Sequence, residues 1–154
     1  DSEELDATEM EARGYGLSYV SLDGNVGSLV NGAGLAMAVS DMIELSGGRP
    51  ANILDVGGGA RSQRVASAMD ILLRDRRLRS IVVGVFGGIT RCDEVAAGIL
   101  SAIERRGAEA PIFVRLTGTN EQEGRHMLAA APVELVPSLL EGARRAVAAA
   151  EASA

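Results

Sequence analysis

The chain has 154 residues, a net charge of -6 at pH 7, 47% hydrophobic residues, 3% aromatics and no Trp. That length buries a core and folds as one domain without staples, while the acidic balance and scarce aromatics argue against nucleic acid and anionic membrane as partners. All fifteen basic residues are Arg, with one Cys and one His, which removes a Walker lysine, a lysine nucleophile, a disulfide framework and a multi-thiolate metal site. A single cysteine fits a reducing compartment. No run approaches the roughly 20 apolar residues of a membrane span. A chain that starts at Asp1 rather than Met is expected to be a piece of something longer.

In chain order, residues 1–14 (DSEELDATEMEARG) are acidic, rich in helix formers and without an apolar stripe, and read as a linker or docking segment. The folded domain is expected over 15–154. The stretch LSYVSLDGNVGSLVN alternates with period 2 on either side of Asp23-Gly24, a strand-turn-strand signal. A helix follows with Leu35, Val39, Met42 and Ile43 on one face, stopped by Gly47-Gly48. ANILDVGGG is a short strand running into three glycines, and Val65, Met69, Leu72 and Leu73 mark the next helix. SIVVGVF is a strand; Val95, Ile99, Leu100 and Ile103 share a helix face ended by Gly107. PIFVRL, a polar turn TGTNEQEG, a short helix, the strand VELVP and a closing helix complete the series.

Strands that read as continuous apolar runs, separated by helices, predict an α/β domain with a doubly wound parallel sheet and helices on both faces. Five strand-helix units favour the flavodoxin-like order 2-1-3-4-5. In that order a ligand sits at the carboxyl ends of the first and third strands. The turns there are VNGAG (30–34) and FGGITRCD (86–93), each opening a helix.

Free N–H groups and the helix dipole at such starts make an anion site without lysine. Gly87 and Gly88 admit close approach of an anion to the backbone. Thr90 with Asp93 three residues later has the spacing of a capping box, and Arg91, just inside the helix, either adds charge or faces solvent. Glycines after strands also serve as plain tight turns. The third glycine turn, DVGGGA (55–60), follows an outer strand and is read as structural or as a partner contact.

YVSLDGNVGSLVNGAGLAMAVSDMIELSGGRPANILDVGGGA, VFGGITRCDEVAAGI and VRLTGTNEQEG, long motifs in order over about residues 15–150, resemble the C-terminal ligase domain of beta subunits of the succinyl-CoA synthetase (succinate-CoA ligase) family, among the acid-thiol ligases that form ADP or GDP. The resemblance implies half of a site completed by an alpha subunit, which carries a phosphorylated histidine and the CoA-binding domain. The phosphohistidine loop is held between two helix starts, one from each subunit, and GGITRCD opens the beta-side helix. The acid-substrate site of the family corresponds to Asn31 and to Gly88, Ile89 and Thr90. The candidate site is therefore Asn31, Gly87, Gly88, Ile89, Thr90 and Arg91, with no catalytic nucleophile and no metal ligand on this chain.

An ATP-grasp region, which binds Mg-nucleotide in the family's beta subunits, has no counterpart here. The fragment alone is expected to be inactive and to bind no cofactor, while the whole enzyme uses CoA, ATP or GTP, and Mg. The partners implied are the alpha subunit, the ATP-grasp region of the same subunit, and succinate or a similar dicarboxylate, in the cytoplasm or the mitochondrial matrix. Two alternatives stay open: a malate-CoA ligase-type domain, and a non-enzymatic anion- or partner-binding module on the same fold. His126, alone on a helical stretch, reads as a surface or satisfied side chain rather than the phosphorylated residue. Cys92, at a helix start, reads as a small buried residue.

Overall fold

A computed structural model describes residues 2–153. Its elements are α1 (Ser2–Gly14), β1 (Ser18–Ser21), β2 (Val26–Val30), α2 (Ala33–Leu45), β3 (Asn52–Asp55), α3 (Ser62–Leu73), β4 (Ser80–Val85), α4 (Cys92–Arg106), β5 (Ile112–Leu116), α5 (Glu121–Leu128), β6 (Glu134–Leu135) and α6 (Leu139–Ala152). The sheet has the order β1-β3-β2-β4-β5-β6. From β2 to β6 every pairing is parallel, and β1 is added antiparallel on the outer edge of β3. Counted from β2, the five parallel strands follow the order 2-1-3-4-5, as the alternation of strand and helix predicts.

Every residue of β2 and β4 is buried, because helices cover both faces of the sheet. Successive side chains alternate between the two layers. Ile81, Val83 and Val85 of β4 join a cluster with Val65, Met69, Val95 and Ile99 from α3 and α4. Val82, from the same strand, joins Val39 and Ile43 of α2 and Ala143 and Val147 of α6 on the opposite side. A Cβ on Gly98 would lie 2.6 Å from Val65 Cβ, so the missing side chain is what lets α4 lie close against α3. The last helix is capped by Ser138, whose Oγ accepts the Glu141 amide at 3.1 Å.

The expected hairpin around Asp23-Gly24 is not formed. Tyr19 and Val20 of β1 pair with Leu54 and Ile53 of β3, and β2 has β3 and β4 as neighbours. Gly24 is buried where the chain crosses the Arg49–Pro50 backbone, and any Cβ there would overlap the Arg49 carbonyl. The Asp-Gly pair marks that close crossing rather than a turn between paired strands. Helix α1 lays Ala12 into the core and ties itself to α3 through the Glu11–Arg74 ion pair.

Candidate functional site

The carboxyl ends of β2 and β4 lie side by side, with Val30 in register with Gly84. Directly beyond them the Asn31 side chain meets the backbone of Phe86 in both directions. Its Oδ1 accepts the Phe86 N–H at 3.0 Å, and its Nδ2 donates to the Phe86 carbonyl at 2.7 Å and to Thr90 Oγ1 at 3.2 Å. A side-chain amide thus extends the strand ladder by one step where the chains diverge.

Two further turns hold the same loop. The Gly59 N–H donates to Thr90 Oγ1 at 2.9 Å, and Thr119 Oγ1 donates to the Gly88 carbonyl at 2.9 Å. The Cys92 N–H donates to the Thr119 carbonyl at 2.9 Å. Gly87 and Gly118 have φ of 108° and 126°, values that favour glycine, and a Cβ on Gly118 would overlap the Gly87 carbonyl oxygen. The carbonyls of Phe86 and Gly88 are therefore both consumed by neighbours.

The amides of the loop are not. None of the N–H groups of Gly87, Gly88, Ile89, Thr90 and Arg91 has an acceptor among the described residues. Gly87 and Gly88 are exposed, and a Cβ on Gly88 would meet nothing within 4 Å. Ile89 stands out from the tip, 82% exposed, whereas Thr90 beside it is 2% exposed. Amides without an intramolecular acceptor on an exposed loop are able to donate to anion oxygens.

The turn after β2 is built differently. One carboxylate oxygen of Asp55, at the end of β3, accepts the N–H of Gly32 at 2.6 Å and that of Gly57 at 2.7 Å. A carboxylate therefore sits against the loop that opens α2, while the amides of Ala33, Gly34 and Leu35 at that helix start have no acceptor among the described residues. The third glycine turn does not follow an outer strand, because β1 covers the edge of β3, and it is wired into the crevice through Gly57 and Gly59.

Two other expectations need correction. Thr90 is not a cap: the N-cap of α4 is Arg91, with no side chain capping the helix amides, because the Thr90 hydroxyl is turned inward to serve Gly59 and Asn31. Arg91 lies before the helix, not within it, and its guanidinium pairs with Asp93 at 3.1 Å. Asp93 also accepts from Asn120 at 3.0 Å, and the amide of Asn120, followed by the Arg91 guanidinium, holds its carboxyl below the usual carboxylate range. Asp55, Gly59, Gly118 and Thr119 were missing from the sequence-derived site. Their signals, a strand-end Asp before glycines and a Gly-Thr pair after a strand, are common turn chemistry.

Cys92 is fully buried, and burial pushes its thiol pKa up. His126 is exposed on α5. Among the described residues no group of three or more His, Cys, Asp or Glu is placed to hold a metal, and no helix is long and apolar enough to cross a membrane.

The sequence model of the CoA-ligase family matches residues 29–151, from β2 to α6. The chain belongs to the CoA-ligase family. This CoA-ligase domain is 52% identical over 154 aligned residues to the beta subunit of an ADP-forming succinate-CoA ligase from Nautilia profundicola, covering 98% of the chain and 40% of that relative. It is 50% identical to the corresponding subunit from Alteromonas mediterranea, covering 98% of the chain and 39% of the relative. The chain thus spans about two fifths of the length of these curated relatives. Among solved structures it is similar to a protein from Pyrococcus horikoshii, with a TM-score of 0.70 at 16% identity over 86% of this chain and 36% of that one. It is also similar to the ATP citrate lyase of Methanothrix soehngenii, with a TM-score of 0.67 at 19% identity over 83% of this chain and 41% of that one. At these identities the likeness speaks to the fold of a CoA-ligase domain.

Proposed function

We propose that this chain is the CoA-ligase domain of the beta subunit of an ADP-forming succinate-CoA ligase. In the assembled enzyme its 87–91 loop receives the phosphorylated histidine of an alpha subunit together with the carboxylate of succinate. The observation that carries this reading is the identity of about 50% along nearly the whole chain to beta subunits that bear that name. The unpaired amides of Gly87 to Arg91 supply the matching chemistry.

Transfer of a phosphoryl group between a histidine and a carboxylate spreads charge over the phosphoryl oxygens and needs positioned donors more than a nucleophile from every subunit. Fixed N–H groups do this without being consumed. In this reading Asn31 and Thr90 are positioning residues, since their polar atoms are engaged with Phe86, Gly59 and each other. The donors are backbone amides, and Ile89 presents an apolar side chain to the partner. CoA is held by the alpha subunit, and nucleotide with Mg by the ATP-grasp region of the same beta subunit, in the cytoplasm.

The test is reconstitution. The chain is joined to the ATP-grasp region of a homologous beta subunit, combined with its alpha subunit, and assayed for succinyl-CoA formation with succinate and with malate. Turnover with succinate at least ten times that with malate supports the proposal. A preference for malate, or assembly without any ligase activity, contradicts it.

A further inference from the structure

A groove of about 870 Å³ lies on the surface between α3 and α4, beside the crevice described above. Its lining includes Ala66, Ala97 and Ser101, and it carries Arg61 and Arg64 on the α3 side and Arg105 on α4. No carboxylate lines it, although the chain as a whole carries a net charge of -6. Some arginines elsewhere are matched: Arg74 with Glu11, Arg77 with Asp75, Arg106 with Asp70 and Arg145 with Glu134 and Glu141. The side chains of Arg61 and Arg105, like those of Arg13, Arg49, Arg76 and Arg115, have no hydrogen-bond or ion-pair partner among the described residues, and Arg64 donates only to the Val56 carbonyl, at 3.3 Å; the groove is where three arginines meet with no carboxylate in the lining.

We infer that this groove docks an acidic helical segment of a partner polypeptide. Charge complementarity selects the chemistry, because three guanidiniums without counter-charge attract carboxylates and lower the affinity of basic surfaces. Shape selects a helix. The α4 side from Ala97 to Arg105 runs about 12 Å at 1.5 Å per residue, the length of two helical turns, and small lining residues let another backbone approach closely. An open, polar groove gives a single small anion little enclosure, whereas a segment with several carboxylates engages the arginines together. Gly59 lines the groove and also bonds Thr90, so a docked segment would lie beside the proposed site. The inference does not depend on the ligase reading.

The test uses the whole chain in NMR titrations with a 14-residue Glu/Ala helical peptide, its Lys/Ala counterpart and inorganic pyrophosphate. The expected result is saturable binding of the acidic peptide at low salt, shifts centred on residues 61–67 and 97–105, and at least tenfold weaker binding to the Arg61→Gln/Arg105→Gln double variant. Both positions are exposed and unpaired, so that variant keeps the fold, and Arg144→Gln is the control that leaves binding unchanged. The inference is overturned by absence of saturable binding or by shifts elsewhere. It is equally overturned by an unaffected double variant, by equal binding of the basic peptide, or by pyrophosphate that binds the same residues more tightly than the peptide.

Discussion

The turns after β2 and β4 look alike in sequence, each a short glycine segment between a buried strand and a helix, yet they are hydrogen-bonded differently. The β2 turn gives: Asn31 spends its amide on the backbone of Phe86, and the Gly32 N–H is taken by Asp55. The β4 turn receives: its carbonyls are held by Asn31 and Thr119, while five successive amides remain without an acceptor among the described residues. Glycine content marks a place where backbone can be exposed. Which backbone stays exposed is decided by the side chains that arrive from other turns.

The sharpest way to break this contrast is to fill the receiving turn. A Cβ on Gly88 meets nothing, so Gly88→Val should fold with an unchanged Tm, yet lower ligase turnover in the reconstituted enzyme by about 100-fold or more, the scale of losing a positioned donor. Wild-type turnover would remove the loop from the site. Gly118→Ala attacks the support from the β5 side. With φ at 126° and a Cβ that overlaps the Gly87 carbonyl, it should cost about 2–3 kcal/mol in denaturant unfolding.

Asn31→Ala removes the clamp on the exposed Phe86 groups, at about 0.5–1.5 kcal/mol. Asn31→Asp should be no better, because a carboxylate cannot donate to the Phe86 carbonyl. Equal stability of the alanine variant and the wild type would show that the β2 turn holds nothing. Asp55→Asn keeps an oxygen acceptor for Gly32 and Gly57 and should change stability by less than about 0.5 kcal/mol, whereas Asp55→Ala should cost more than that.

The smallest effect lies at the far edge, where Glu11 pairs with Arg74. Its hydrogen bond to Arg74 holds its pKa below the ordinary 4.5, so its contribution is complete above that value and is lost as pH falls through the lower folded value. Unfolding curves of the wild type and Glu11→Gln should therefore differ slightly at neutral pH and converge in acid.

Much of the fold was legible because buried parallel strands announce themselves as uninterrupted apolar runs. β2 and β4 are buried at every position, and the order of the five parallel strands follows from their alternation with helices. The antiparallel addition of β1 was not legible, since period-2 alternation in SYVS fits any edge partner and Asp23-Gly24 mimics a hairpin signal. Similarly, Thr90 at capping distance from Asp93 obeys a local rule that the tertiary structure overrides, because a buried hydroxyl serving two turns outweighs one helix amide. Gly88 was legible as an open glycine. Gly118 was not, because the need for glycine there comes from Gly87, on another loop.

The most direct test of the central claim is a calorimetric titration of this chain into a succinate-CoA ligase alpha subunit, phosphorylated and unphosphorylated on its histidine. The β4 turn as the receiving surface predicts tight binding that changes with phosphorylation, with the phosphorylation-dependent part lost in Gly88→Val. Binding that is absent in both states, or indifferent to both phosphorylation and Gly88→Val, would contradict it.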